Sequence, residues 1–244
     1  MLLLCYTKVE GDVVVIKNKR RNIMEQTINK LPLIGDKAPH FEAITTNGPI
    51  TFPEDYQGKW VVLFSHPADF TPVCTTEFIT FAQREPEFKA LNTELVGLSV
   101  DSLHSHIAWL RAIKNLEFRD FKNTEVKFPL IVDISMEVSN LYGMIQPNQS
   151  TTSAVRAVFI IDPKGIIRTI LYYPLSTGRN FDEILRIIKA LQTTDQKGVA
   201  TPADWVPGEP MIVPAPATTK HAGEVMDKKQ DDIECQDWFF CFRK

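Results

Sequence analysis

At 244 residues with 44% hydrophobic content, the chain is long enough for one sizeable domain with appendages or for two small domains. A formal net charge of −3, with lysine and arginine dispersed, excludes the basic surface typical of nucleic-acid binding. No apolar run approaches the roughly 18 residues that cross a bilayer. Neither a nucleic acid nor a membrane is therefore an expected partner.

The first 30 residues are predicted to be an N-terminal extension of a domain that starts near residue 31. The opening segment MLLLCYTKVEGD lacks the basic n-region of a signal peptide, and its apolar run is too short. A cytoplasmic location is therefore expected, where thiols stay reduced. Met24 begins a segment that resembles a natural start, so residues 1–23 are expected to be peripheral and Cys5 to be incidental.

Between residues 59 and 192 the hydrophobic pattern alternates between strand and helix. The predicted elements, in chain order, are strand 60–64, helix 75–88 with a kink at Pro86, strand 94–101, helix 105–118, strand 128–133, helix 136–143, strands 154–162 and 166–173, and helix 181–191. The turn sequence PKG joins the last two strands, and Asn180 with Glu183 forms a capping box for the last helix. This order predicts an α/β, thioredoxin-like fold for the domain, residues 31–192.

Residues 193–244 are predicted to form an extended C-terminal dimerisation arm. Five prolines fall between positions 202 and 216, which favours an extended chain over a packed domain. The arm ends in IECQDWFFCFRK. Because exposed aromatic side chains are costly, Trp238, Phe239 and Phe240 are expected to pack on another surface.

The segment HPADFTPVCTTEF, residues 66–78, places Cys74 where a loop meets a predicted helix. A thiol reacts as the thiolate, and a free thiol with a pKa near about 8.5 is only about 3% ionised at pH 7. First-turn amides and the positive end of the helix dipole would stabilise the anion. Thr71 can turn its hydroxyl toward the sulfur or a bound oxygen, and Pro67 and Pro72 stiffen the loop.

These residues also have purely structural explanations. A single cysteine at a helix start is commonly a small buried hydrophobic residue, and prolines commonly form turns. Arg156, in an otherwise apolar strand, would favour a thiolate if it lay beside Cys74, or it could be a charge on an edge strand. The combination of PxxxTxxC with a strand arginine is a specific pattern and favours a reactive thiol.

The same segment closely resembles the active site of peroxiredoxins, and TPVCTTE with the preceding histidine is similar to the peroxiredoxin-six-like subgroup. The similarity extends to AVRAVFIID, LYYPLSTGRNFDEILRIIKAL and PADW, and covers residues 31–244. It implies that Cys74 is the peroxidatic cysteine, which becomes a sulfenic acid as water or alcohol leaves. Pro67, Thr71 and Arg156 match the family site, where they would hold the peroxide and stabilise charge as the O–O bond lengthens.

Other positions follow from the same resemblance. His66 and Arg179 match subgroup positions near the pocket and are implied to bind substrate, whereas Glu77 is expected to orient the helix and an arginine. Some animal relatives carry a GDSW-type stretch linked to lipase activity. Lys59 replaces the serine here, so that activity is not expected. No cofactor is implied.

The arm carries Cys235 and Cys241, six positions apart. The pattern CxDWFFC resembles the tail of archaeal-type members of the subgroup, which resolve the sulfenic acid through an intersubunit disulfide. The hypothesis is that Cys241 attacks the oxidised Cys74 of a partner subunit and that Cys235 then exchanges with Cys241. A thioredoxin-like protein would reduce the pair. The resemblance also implies homodimers, which related archaeal-type enzymes assemble into decamers of five dimers.

The expected function is a thiol peroxidase that acts on hydrogen peroxide and small organic hydroperoxides. The alternative is a peroxide sensor or a redox-regulated chaperone, for which a single oxidation suffices. A disulfide reductase is disfavoured because the chain has no CxxC. A zinc site of His221, Cys235 and Cys241 lacks a fourth ligand, so no metal is expected. The sequence HSH at 104–106 is expected to be a cap or a solvated loop.

Overall fold

The computed structural model describes residues 31–227 and 232–244. The chain divides into two units, residues 1–31 and residues 32–244. The predicted extension, with Cys5 and Met24, lies outside the described residues. Within the part of the chain that is described, no helix is long and apolar enough to cross a membrane.

The described part of unit 32–244 forms one large mixed sheet and one small sheet, with α-helices between and beside the strands. The strands of the large sheet are β1 (Phe41–Thr45), β2 (Gly48–Phe52), β3 (Trp60–Ser65), β4 (Thr93–Ser99), β5 (Leu130–Val132), β6 (Arg156–Ile161) and β7 (Ile167–Tyr173). The small sheet contains β8 (Met211–Ile212), β9 (Ile233–Asp237) and β10 (Phe240–Arg243). The helices are α1 (Pro72–Ala90), α2 (Leu103–Ile113), α3 (Glu137–Leu141), α4 (Phe181–Lys197) and α5 (Thr219–Asp227), with a short 3-10 turn at Glu54–Tyr56.

The large sheet has the strand order β2-β1-β5-β4-β3-β6-β7. Its centre is parallel from β3 through β4 to β5, whereas β6 and β7 continue the sheet antiparallel on one side and β1 and β2 on the other. This is the α/β, thioredoxin-like architecture that the alternating pattern predicts.

Strand β3 is buried along its whole length and fixes the start of α1. Because side chains alternate across a sheet, Val62 and Phe64 enter the core beneath α1, α2 and α4. Val61 and Leu63 enter the second core, with α3 and the β1–β2 hairpin. A slip of one residue would move all four to the wrong face, so the register of β3 is strongly specified.

Several boundaries differ from the predicted ones. Helix α1 begins at Pro72, three residues before the predicted start, because a proline at the first helical position loses no hydrogen bond. The helix runs through Pro86 to Ala90. Helix α2 ends at Ile113 rather than 118, where short-range bonds such as Leu116 N–H to the Ile113 carbonyl (3.0 Å) close its last turn.

The β1–β2 hairpin is absent from the sequence prediction. Its two turn residues are Thr46 and Asn47, and Gly48, the first residue of β2, faces Thr45 in the register. Gly48 has φ +107°, a conformation that a glycine adopts without a steric penalty. An Asn-Gly pair between apolar stretches is a strong hairpin signal and would have identified this element.

The arm is anchored to the domain at its start. Helix α4 continues past the predicted end at 191 to Lys197, where Gly198 closes it in the left-handed conformation at φ +61°. Trp205 is 2% exposed and packs with Ala190, Val199 and Met211. Further along, Trp238, Phe239 and Phe240 are 41, 52 and 38% exposed, so each of these side chains keeps a large exposed part.

Gly97 of β4 has packed side chains close to its Cα. A Cβ there would lie 3.0 Å from Leu130 Cδ1 and 3.2 Å from Phe64 Cζ. We expect Gly97→Ala to lower the free energy of unfolding by roughly 1–3 kcal/mol, because both neighbours are packed core side chains. Urea denaturation measures this. In Gly223→Ala, on α5, the new methyl enters open space, so stability should hold or rise slightly. Equal midpoints for all three proteins would contradict the expected overpacking.

Candidate active site

The candidate site lies where β3 ends and α1 begins. Strand β6 runs antiparallel to β3 with Val158 opposite Phe64, so the first residue of β6 lies beside the end of β3. That residue is Arg156. The sheet thereby places Arg156 next to the first turn of α1, which carries Cys74.

Cys74 and Arg156 are in direct contact. The thiol is fully buried, and Arg156 Nη1 lies 3.2 Å from its Sγ. Arg156 Nε and Nη2 donate to the Leu175 carbonyl at 3.1 and 2.7 Å, which fixes the orientation of the guanidinium. As the third residue of α1, Cys74 also belongs to the turn whose amide N–H groups have no carbonyl partner within the helix. Both the cation and these amides would stabilise negative charge at the sulfur.

Glu77, one turn after Cys74, joins two arginines. Its Oε2 accepts from Arg156 Nη1 at 2.8 Å and from Arg179 Nη2 at 2.6 Å. Its Oε1 accepts from the backbone N–H and Nε of Arg179, at 2.9 and 3.0 Å. Burial alone would raise the pKa of Glu77, but the charges and hydrogen bonds of the two arginines outweigh it and lower that pKa. Glu77 is thus a buried carboxylate that orients Arg156, as expected.

Arg179 is held entirely by protein groups. Besides Glu77, its Nη1 donates to the carbonyls of Ser65 and Ala157 at 3.0 and 3.1 Å. The guanidinium also lies over the rings of Phe64 and Phe81, at 5.1 and 5.4 Å from their centroids. Each of its three side-chain nitrogens is therefore occupied.

The loop before α1 carries the two remaining family positions. Thr71 is the N-cap residue, and its hydroxyl donates to the Ala68 carbonyl at 2.9 Å. This bond uses the hydroxyl hydrogen and leaves the oxygen available as an acceptor. Pro67 and Thr71 are both partly exposed, whereas Cys74 is fully buried. A molecule that reaches the sulfur past this loop must be small.

His66 belongs to a buried network that the sequence does not reveal. Asp69 accepts from His66 Nε2 through Oδ1 at 3.1 Å, and it bonds His106 Nδ1 and the Ser105 hydroxyl through Oδ2, both at 2.8 Å. Burial lowers the pKa of His66, so its imidazole is neutral at pH 7. A neutral ring that donates from Nε2 keeps Nδ1 as an acceptor. Nδ1 is buried and lacks a partner among the described residues.

The expectation for HSH is wrong at His106. His104 is exposed, but His106 is fully buried and its Nε2 bonds the Ile131 carbonyl at 3.1 Å. The true cap of α2 is Ser102, whose hydroxyl accepts from the Ser105 N–H. The spacing of the sequence could have indicated this burial, because positions 106, 109 and 113 lie on one face of the helix. All three residues are buried.

The arm cysteines are bonded to each other. Cys235 and Cys241 form a disulfide, and among the described residues Cys74 is the free thiol. The sulfurs of Cys235 and Cys241 are therefore not zinc ligands in this state. His221, the third residue of the zinc alternative, is exposed.

Within the described part of the chain, one group of histidine and aspartate side chains has a spacing compatible with a metal ion. His66, Asp69 and Asp101 offer ligand atoms that lie within 4.8 Å of one another. The Asp101 carboxylate already accepts from the Asp69 backbone N–H at 3.1 Å and from the Ser99 hydroxyl at 2.7 Å. Internal hydrogen bonds thus account for the geometry of this cluster.

Comparison with known proteins gives two family matches. Residues 34–170 match the AhpC/TSA family, and residues 190–229 match the C-terminal domain of 1-Cys peroxiredoxin. The chain is 60% identical over 215 residues to a peroxiredoxin of Methanosarcina mazei, across 88% of this chain and 98% of that protein. It is 55% identical to a peroxiredoxin of Aquifex aeolicus, across 88% and 97% of the two chains.

Solved structures are similar over the same region. A yeast mitochondrial 1-Cys peroxiredoxin, whose thiol resolving mechanism runs via glutathione/thioredoxin systems, superimposes with a TM-score of 0.75 at 40% identity. That match covers 88% of this chain and 100% of the other. A cysteine-to-serine variant of peroxiredoxin 6 from Arenicola marina gives a TM-score of 0.74 at 36% identity, over 86% and 97% of the chains.

The Asp69 network predicts a pH-dependent stability. Hydrogen bonds from His106 and His66 overcome the opposing effect of burial and hold the pKa of Asp69 at about 2, below its ordinary value of 3.8. A depressed pKa stabilises the fold above pH 4, and this contribution is lost as the pH falls toward 2. We expect Asp69→Asn to cost about 2 kcal/mol at pH 6 and progressively less below pH 4.

Urea denaturation of both proteins between pH 2.5 and 6 measures this difference. The matched control is Asp120→Asn, at an exposed loop position, which should change little at any pH. If the loss of unfolding free energy in Asp69→Asn stayed constant down to pH 2.5, the carboxylate charge would not be its source.

Proposed function

The chain belongs to the peroxiredoxin family and is a thiol peroxidase, and we propose that Cys74 is the thiol that reduces the peroxide. The single observation that carries the proposal is the 3.2 Å contact between Arg156 Nη1 and Cys74 Sγ at the start of α1. A free, buried thiol between a guanidinium and a helix N-terminus is placed for anionic chemistry.

In the proposed step the Cys74 thiolate attacks one peroxide oxygen. An S–O bond forms, the O–O bond breaks, and the departing oxygen leaves as water or alcohol after it takes a proton. Negative charge moves from sulfur to the leaving oxygen, so donors fixed before the reaction are most effective. Arg156 supplies such a donor because the Leu175 carbonyl and Glu77 hold its guanidinium in place.

The neighbouring residues are proposed to bind the peroxide or to hold other groups of the site in place. Thr71 offers its oxygen as an acceptor for the peroxide O–H, since its own hydrogen is bonded to Ala68. Pro67 restricts the loop that a substrate must pass. His66 offers as a second acceptor its Nδ1, which has no partner among the residues that the structure describes. Arg179 is proposed as a positioning residue rather than a substrate ligand, because its nitrogens are all occupied by protein groups.

The arm is proposed to resolve the sulfenic acid. Cys241 of one subunit attacks the oxidised sulfur of a partner's Cys74 and releases water, and Cys235 then displaces Cys74 as a thiol. The product is the Cys235–Cys241 disulfide, and the occurrence of this bond in the structure supports the sequence of steps. Reduction by a thioredoxin-like protein completes the cycle, as the yeast relative's use of a thioredoxin system suggests. A cytoplasmic location would supply such a reductant.

The same step requires at least a homodimer. We propose that residues 193–244 form the arm that reaches the partner and that the exposed Trp238, Phe239 and Phe240 contact it. Assembly of five dimers into a decamer is the corresponding proposal for the full oligomer.

The role of Arg156 can be tested by a conservative substitution. We expect Arg156→Lys to lower the second-order rate constant for hydrogen peroxide about 100-fold or more, because an ammonium group cannot bond Leu175 and still face both Cys74 and Glu77. Stopped-flow mixing of reduced protein with peroxide measures the rate. Arg84→Lys, at a half-buried position of α1 that pairs with Glu87 and Asp182, should leave it unchanged. A loss of less than threefold in Arg156→Lys would contradict the proposal.

Disulfide mapping tests the cycle itself. One equivalent of hydrogen peroxide is added to the reduced protein, the reaction is quenched at successive times, and peptides are mapped without reduction. An early Cys74–Cys241 link between chains that converts to Cys235–Cys241 is expected, and Cys5→Ser should behave identically. Cys74 found as sulfenic or sulfinic acid with the arm untouched would remove the resolving role. Unmodified Cys74 would refute the peroxidase assignment, and a single turnover with excess peroxide and thioredoxin would favour a sensor.

A further inference from the structure

The two sulfurs of the arm disulfide have unequal surroundings. Cys241 lies on β10, the middle strand of the small sheet, and is 4% exposed. Cys235 lies on β9, an outer strand, and is only half-buried. Because thiol–disulfide exchange depends on access to the sulfur that is attacked, the two sulfurs are not equivalent targets.

The backbone of Cys235 also faces outward, as the register shows. The Lys244 N–H donates to the Asp232 carbonyl at 3.0 Å, which makes that opposed pair a hydrogen-bonded one. Hydrogen-bonded and non-hydrogen-bonded pairs alternate along an antiparallel ladder, so the pair Cys241 and Cys235 is non-hydrogen-bonded. The N–H and carbonyl of Cys235 therefore point away from β10.

A hydrogen bond on the β8 side of β10 supports this assignment. The Cys241 carbonyl accepts from the Val213 N–H at 3.0 Å, so it points toward the β8 side and away from β9. A Cα–Cα distance of 4.0 Å between Cys235 and Cys241 also fits the closer spacing of a non-hydrogen-bonded pair.

In the described residues β9 pairs with β10 alone, so its outer side is an open edge. We call this side, with the backbone groups of Ile233 and Cys235 that point from it, the β9 edge. Ile233 pairs with Arg243 and shares the outward orientation of Cys235 by the same alternation.

We propose that the β9 edge is the docking site of the dithiol protein that reduces the arm, and that this protein attacks Cys235. The inference rests on the proposed function, in which the arm disulfide is the end of the catalytic cycle. An extended segment of the reductant adds to β9 through the outward backbone groups of Ile233 and Cys235. Docking by main-chain pairing brings the attacking thiol to the sulfur carried by that same strand.

The exchange proceeds in two balanced steps. A thiolate of the reductant attacks Cys235 Sγ, a mixed disulfide forms, and the bond to Cys241 breaks with its electron pair on Cys241. Cys241 takes a proton, and the new S–H can donate to the Asp237 carbonyl oxygen, which lies 3.4 Å from Cys241 Sγ. The second thiol of the reductant then attacks its own mixed disulfide and releases Cys235 as a thiol. Two electrons pass from the dithiol to the arm.

The attacked sulfur can be identified by trapping. Oxidised full-length protein with the Cys235–Cys241 disulfide is mixed with a bacterial thioredoxin whose second active-site cysteine is replaced by serine, so that the mixed disulfide persists. Peptide mapping should place at least ten times more thioredoxin on Cys235 than on Cys241. Predominant linkage to Cys241, or equal linkage to both, would overturn the proposal.

The edge itself can be tested with Ile233→Pro. This substitution removes a backbone N–H that points outward and makes no bond to β10. Intact thioredoxin should reduce this variant at least fivefold more slowly than Ile233→Ala, whereas dithiothreitol, which needs no strand pairing, should reduce both at one rate. Equal thioredoxin rates for the two variants would overturn the edge assignment, and so would an equal slowing with both reductants.

Both assays start from the preformed disulfide and add no peroxide. Failure of the proposed function would appear separately, as an arm that never links to Cys74 after peroxide treatment. The two outcomes are therefore distinguishable.

Discussion

The site depends on one interaction, the double ion pair of the Glu77 carboxylate with the buried guanidinium groups of Arg156 and Arg179. It fixes Arg156 against the sulfur of Cys74 and ties Arg179 to the end of β3. Two positive charges and one negative charge leave an excess of one positive charge, and an anionic sulfur would balance it. Removal of one partner from a buried pair typically costs about 3–5 kcal/mol, so the same contacts that prepare the chemistry also maintain the local fold.

This arrangement joins segments that are far apart in the chain. Arg156 begins β6, Glu77 lies in α1, and Arg179 precedes α4 while it bonds carbonyls of both Ser65 and Ala157. The positions of these groups therefore depend on the register of the central strands, which burial on both faces specifies. A strand carries Arg156 and a helix carries Glu77, and such rigid support keeps reacting groups within small tolerances.

Local sequence patterns predict much of the fold and part of the candidate site, whereas the remaining features depend on tertiary contacts. The strand and helix alternation follows from hydrophobic period, and Cys74 and Arg156 stand out because each is unusual for its element. The burial of His106 depends on which helical face meets the sheet, and its bond to Asp69 joins residues 37 positions apart. The edge position of Cys235 depends on strand order in the small sheet, which spacing alone does not reveal.

The short span of the arm disulfide has an energetic consequence. Only six positions separate Cys235 and Cys241, and closure of so small a loop restricts the unfolded chain less than closure of a long loop would, by roughly 2 kcal/mol in the chain-entropy model. The core around β3 and α1 lies elsewhere in the chain and contains neither residue. In the proposed cycle the bond can therefore open and close while the packed core keeps its contacts, which suits a cysteine pair that carries electrons rather than one that holds a fold together.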